Sequence, residues 1–189
     1  MLRAALFALL TASRLPGAAN DGADVASVQR KIDAIREDRL PPGAVVRLRA
    51  EELNAYLRSE AARIAPEGVS GLRLELGRNR ATGYASIDFP KLRQSMGRPM
   101  GALLAELLAG ERPVRVDAHL RSANGSATVF LDRVEVSGLS VTGVTLDLLI
   151  RKFLWVYYPR AKIGEPFELA HRIDRIEVRP AEVRIVIAK

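Results

Sequence analysis

Val114-Arg115-Val116-Asp117-Ala118-His119-Leu120-Arg121 alternates apolar and polar residues, and after Asn124-Gly125 the run Ala127-Thr128-Val129-Phe130-Leu131 alternates back. A period of two places successive side chains on opposite faces of a strand. Asn-Gly supplies two residues that tolerate positive φ, as a tight type I′ hairpin turn requires. Two amphipathic strands joined by such a turn predict an antiparallel sheet with one apolar face and one wetted face. Val134 and Val136 fall out of phase with Val129 and Leu131, which predicts a bulge at Asp132-Arg133.

The same period recurs on both sides of this hairpin. Leu72, Leu74 and Leu76 alternate with Arg73 and Glu75, and after a turn at Gly77-Arg78-Asn79 the residues Gly83, Ala85, Ile87 and Phe89 share a face. Ile173, Ile176 and Val178, then Val183, Ile185 and Ile187, form a closing pair of strands around Pro180-Ala181. Val45 to Leu48 is a short strand of its own. The inward face is expected to hold Leu74, Ile87, Val116, Val129 and Ile185, and the outward face Glu75, Asp117, His119 and Arg184.

Helical spacing fills the intervals. Val25, Val28, Ile32 and Ile35 predict a helix over 24–40 with Asp24 as its cap, and Leu53, Leu57, Ala61 and Ile64 predict one over 50–65. Residues 90–110 carry apolar residues at helical intervals around Pro99, and a long third helix is expected over 145–158. The fold class is therefore α+β, an antiparallel sheet packed on long helices, in one domain over 20–189.

The amino terminus reads differently. Arg3 precedes the apolar run Ala4 to Ala12, and small residues follow at Gly17-Ala18-Ala19. That order predicts a signal peptide over 1–19 and a periplasmic or secreted product. The apolar run is too short to span a bilayer.

Composition narrows the chemistry. The 189 residues carry a net charge of +7, but basic and acidic residues alternate, and no basic run is interleaved with aromatics. No nucleic-acid partner is expected. The chain has no cysteine and two histidines, His119 and His171, which do not stand at ligand spacing, so neither a metal site nor a cofactor is expected. Gly138-Leu139-Ser140-Val141-Thr142-Gly143 is one residue too long for a nucleophile elbow and reads as a strand-to-helix turn. Glu51 and Glu52 suit the first turn of a helix better than a catalytic carboxylate pair. Nothing assembles a catalytic constellation, and the expectation is a protein that is not an enzyme.

Val144 to Tyr158 is the most unusual stretch, with the chain's only Trp and full charges at Asp147, Arg151 and Lys152 alone. A helix apolar nearly all round is buried on several sides or touches an apolar ligand. On the second reading, a groove between sheet and helix is lined by Leu74, Ile87, Val116, Val129, Leu107, Leu149, Phe153 and Trp155, with Arg151 and Lys152 beside a lipid head group. The alternative is an envelope interaction or scaffold protein whose core is closed and holds no ligand.

Glu52-Leu53-Asn54-Ala55-Tyr56-Leu57 resembles the E-L-N-x-x-L pattern of the LmeA-like phospholipid-binding proteins. Arg80 to Asp88, Val134 to Leu139 and Pro166 to Val178 are similar to further segments of that family. The resemblance implies a tubular lipid-binding (TULIP-like) fold with a curved antiparallel sheet wrapped on a long helix. It also implies a phospholipid or comparable amphiphile as ligand; peripheral contact with an anionic membrane surface is expected from the apolar helix bearing Arg151 and Lys152. No ligand-binding residue carries over from it.

Overall fold

A computed structural model describes residues 21–96, 109–151 and 162–189. Its elements are α1 (Asp21–Arg36), β1 (Val45–Arg49), α2 (Ala50–Ile64), β2 (Val69–Leu76), β3 (Arg80–Asp88), α3 (Phe89–Met96), β4 (Glu111–Ala123), β5 (Ser126–Val136), β6 (Leu139–Val141), α4 (Gly143–Leu149), β7 (Phe167–Glu168), β8 (Ile173–Arg179) and β9 (Glu182–Ile187). The class is α+β, as the alternation predicts. The long helices are not borne out: among the described residues α1 and α2 have 16 and 15 residues, and α3 and α4 only 8 and 7. Residues 1–19, read above as a signal peptide, and Leu107, Lys152, Phe153 and Trp155 lie outside the described residues.

Two antiparallel sheets form. The large one runs β2-β3-β4-β5-β6, with β7 pairing the start of β5, and the small one runs β1-β9-β8. The Asn124-Gly125 turn takes φ of 51° and 73°, the two positive values a type I′ hairpin needs. The bulge falls where the phase change placed it: Asp117 pairs with Arg133 and Ala118 with Leu131, so Asp132 is the extra residue.

Three boundaries differ from the sequence reading. Helix α1 starts at Asp21 and ends at Arg36, so Asp24 lies in its first turn, and Asp38 turns the chain out with φ of 51°. Phe89 belongs to a helix, not to β3, because the Asp88 side chain accepts the Lys91 N–H at 3.0 Å and caps α3 there. The Gly138–Gly143 turn carries a three-residue strand, β6, before α4 begins.

The sheets meet at their tips. Asn79 N–H donates to the Val178 carbonyl at 2.9 Å, Gly125 N–H to the Asp174 carbonyl at 2.7 Å, and Ile176 N–H to the Ser122 hydroxyl at 2.8 Å. The principal core fills the space under this junction, with Val28, Ile32 and Ile35 of α1, Leu53 and Leu57 of α2, Leu48 of β1 and Ile185 of β9. It takes Leu74, Ala81, Ala118, Leu120 and Val129 from the near half of the large sheet. A second, smaller cluster sits at the other end: Phe89 and Leu92 of α3, Val136, Val141 and Leu149.

Candidate functional site

The E-L-N-x-x-L residues do structural work. Glu52 is buried, with a side chain only 3% exposed. Its carboxylate accepts from Lys31 Nζ at 2.7 and 2.8 Å, from Ser27 Oγ at 2.7 Å and from the Arg49 N–H at 2.8 Å. The Arg49 bond satisfies an orphan donor at the start of α2. Burial pushes this carboxyl up, but the Lys31 ammonium and the Arg49 and Ser27 donors outweigh it and hold it at about 2. Leu53 and Leu57 are core residues. Asn54 pairs its carboxamide with the backbone of Leu74 on edge strand β2. Glu52 is thus more than the helix-dipole partner expected of it: it is the ionic tie between α1 and α2.

The outer face of the large sheet is a lattice of mixed charge. Tyr84 donates to Glu75 at 2.8 Å, Thr82 to Asp117 at 2.6 Å, Arg115 to Asp117 at 3.0 Å and Arg133 to Glu135 at 2.9 Å. Arg73 pairs with Glu75 and lays its guanidinium over the Tyr84 ring. Five arginines (73, 80, 115, 121 and 133) share this face with Glu75, Asp88, Glu111, Asp117, Asp132 and Glu135, so it carries no surplus of positive charge. His119 stands here as expected, but its partners have no signature in the local pattern. The bulge residue Asp132 lies 2.6 Å from its Nδ1, and Phe130 stacks on its ring at 4.7 Å. Among the described residues no cluster of His, Cys, Asp or Glu has the makings of a metal site.

The inner face carries the expected ligand-lining residues in register. One row runs Leu74, Gly83, Val116, Val134, Val141 across five strands, and the next runs Ala85, Val114, Val136, Leu139. Leu74 and Val129 are buried in the principal core, and Leu149 in the second cluster, with Ile87 packed against it. Val116 is half-buried and, among the described residues, belongs to neither cluster. The described part of the expected lining is therefore split between two cores, with Val116 between them. Arg151 is exposed just beyond α4.

Two inner-face features escaped the sequence reading. Leu139 shares the phase of Val141 yet is 60% exposed, so the apolar face emerges into solvent at this end of the sheet. Arg112 stands directly opposite Ile87, which places it on the inner face as well. The alternation of β4 continued backward from Val114 puts Arg112 there; only its charge argued otherwise. No family model matches the chain, and no curated protein or solved structure matches it either.

Proposed function

We propose that this chain is an exported, non-enzymatic protein that holds a phospholipid or similar amphiphile against the inner face of its large sheet, in the manner of the tubular lipid-binding proteins. One observation carries the reading. The inner face stays apolar from the principal core to the second cluster, and Val116 between them packs, among the described residues, into neither. Gly83, Ala85 and Ala118 surround Val116 with small side chains, as a groove for an acyl chain would require. The exposed Leu139 gives that track an end open to water.

The loop around it suits peripheral contact with a membrane. Ser137 to Val144 contains no charge, and Leu139 and Val144 project from it, Val144 at 76% exposure. Exposed Arg151 follows within a few residues and offers charge to anionic head groups. Among the described residues no helix is long and apolar enough to cross a membrane.

Native mass spectrometry of the protein released gently from its host tests the reading. Adducts of lipid mass should appear, vanish on delipidation and return after incubation with phospholipid vesicles. A protein that carries none and takes up none supports the scaffold alternative instead. Export has its own test: the amino terminus of the envelope form should begin near Asn20.

A further inference from the structure

We propose that Arg112 binds the oxyanion of the ligand's head group, which makes the ligand an anionic amphiphile, a carboxylate or phosphate on an apolar tail. This rests on the groove reading above and adds to it the ligand's charge and its direction.

Arg112 faces the wrong way for a surface arginine. It opposes Ile87, which in turn opposes Val69, and both of these pack on the second cluster. Its neighbour on the same face of β4 is Val114. Its Nε is sealed from water and donates to nothing. Arg73 and Arg115 also leave an Nε without an acceptor, but both lie on the outer face beside Tyr84 and pair their terminal nitrogens with Glu75 and Asp117. Among the described residues Arg112 has no such carboxylate. The adjacent acid, Glu111, points to the opposite face, where it accepts from Ser70 Oγ at 3.3 Å.

An arginine stays charged at any physiological pH and brings five donors in a fork that fits an oxyanion. Arg112 is half-buried, and its one sealed, unmet donor is costly to leave so, which a native fold tolerates where something meets it. Beyond Val136 the chain turns at Ser137-Gly138 into β6, and a Cβ at Gly138 would meet nothing within 4 Å. Arg112 also lies one row beyond Val114, at the end of the sheet where Leu139 reaches solvent. A head group held there leaves the tail free to run inward past Val114 to Val116.

The test uses the full chain and three soluble probes below their micelle concentrations: oleate, oleoyl-lysophosphatidylglycerol and uncharged monoolein. Arg112→Leu should weaken binding of oleate, of the lysophospholipid, or of both by roughly ten- to a hundredfold, and leave monoolein within about twofold. Arg112→Lys should restore part of the loss. Whichever anionic probe responds more identifies carboxylate or phosphate as the preferred group. Urea unfolding separates a structural role, because Arg112→Leu removes an unmet donor and should not lower stability. Equal loss for all three probes, no loss for either anion, or a marked fall in stability overturns the assignment to Arg112. If wild-type protein binds no probe at all, the groove reading fails first and this inference with it.

Discussion

The carboxamide of Asn54 stands in for a neighbouring strand at Leu74: its Oδ1 accepts the Leu74 N–H at 2.8 Å and its Nδ2 donates to the Leu74 carbonyl at 2.9 Å. The same Nδ2 also donates to the Ala50 carbonyl at 2.9 Å, so one side chain ties the start of α2 to the open edge of the large sheet. An edge strand otherwise presents unpaired backbone groups.

Removing that amide should loosen the edge. Asn54→Ala leaves two backbone groups of Leu74 unmet and is expected to cost about 1–3 kcal/mol. Asn54→Asp should cost at least as much, since a carboxylate cannot donate to either carbonyl. Urea denaturation measures both, and a midpoint unchanged in Asn54→Ala would show that the amide is not holding β2.

Glu52 makes stability depend on acid. Its carboxyl titrates at about 2 in the folded chain against an ordinary 4.5. A depressed value means that its contribution is fully present above 4.5 and is lost as the pH falls toward 2. The shift corresponds to something on the order of 3 kcal/mol. Glu52→Gln should therefore destabilise the protein at neutral pH and flatten the decline of stability in that acidic window. Parallel pH-dependent unfolding curves for the two proteins would count against this account.

Two glycines with positive φ should respond unequally to alanine. A Cβ at Gly68, where φ is 91°, would stand 2.9 Å from the Asp88 carbonyl oxygen, which is backbone and cannot turn aside. At Gly138, with φ of 80°, it would meet open space. Gly138→Ala is expected to cost about 1 kcal/mol from backbone strain, and Gly68→Ala clearly more, with β2 and α3 pushed apart. Thermal melts of the pair decide it, and equal shifts would remove the steric part of the argument.

His119→Ala should leave the fold and any lipid uptake intact. The His119–Asp132 pair is on the outer face, with side chains 25% and 28% exposed, and such pairs contribute about 0–1 kcal/mol. Loss of uptake in a folded His119→Ala protein would point instead to a working site on the outer face.

Val116 reads the groove directly. Val116→Trp would fill the stretch between the two cores, so it should abolish probe binding while altering stability by less than about 2 kcal/mol. If Val116→Trp binds monoolein as tightly as the parent, the acyl chain does not lie there.

Sheet faces and the bulge were legible because the period of two is unbroken over long strands, and one phase change at Asp132 has one structural meaning. Helix lengths were not, since helical spacing in 90–110 says where apolar residues recur but not where a cap such as Asp88 begins the turn. Lys31 lies 21 residues from Glu52 and Asp132 13 residues from His119, and no local pattern joins either pair. Arg112 was hidden by its type: an arginine in an alternating run reads as outward until the register with Ile87 is known. Leu74, Ile87, Val116 and Val129 stand on the inner face as the alternation predicts, but the division of that face between two cores depends on which helix packs on which half.

The pairing of β1 with β9 sets a timetable for the chain. Val45 to Arg49 find their partners only at Glu182 to Val186, after everything between has been made. The large sheet, by contrast, joins strands that follow one another in sequence. During synthesis it can assemble strand by strand while the principal core still lacks Val183, Ile185 and Ile187. Until β9 emerges, α1 and α2 have no complete floor to pack on, and the half around the principal core stays open.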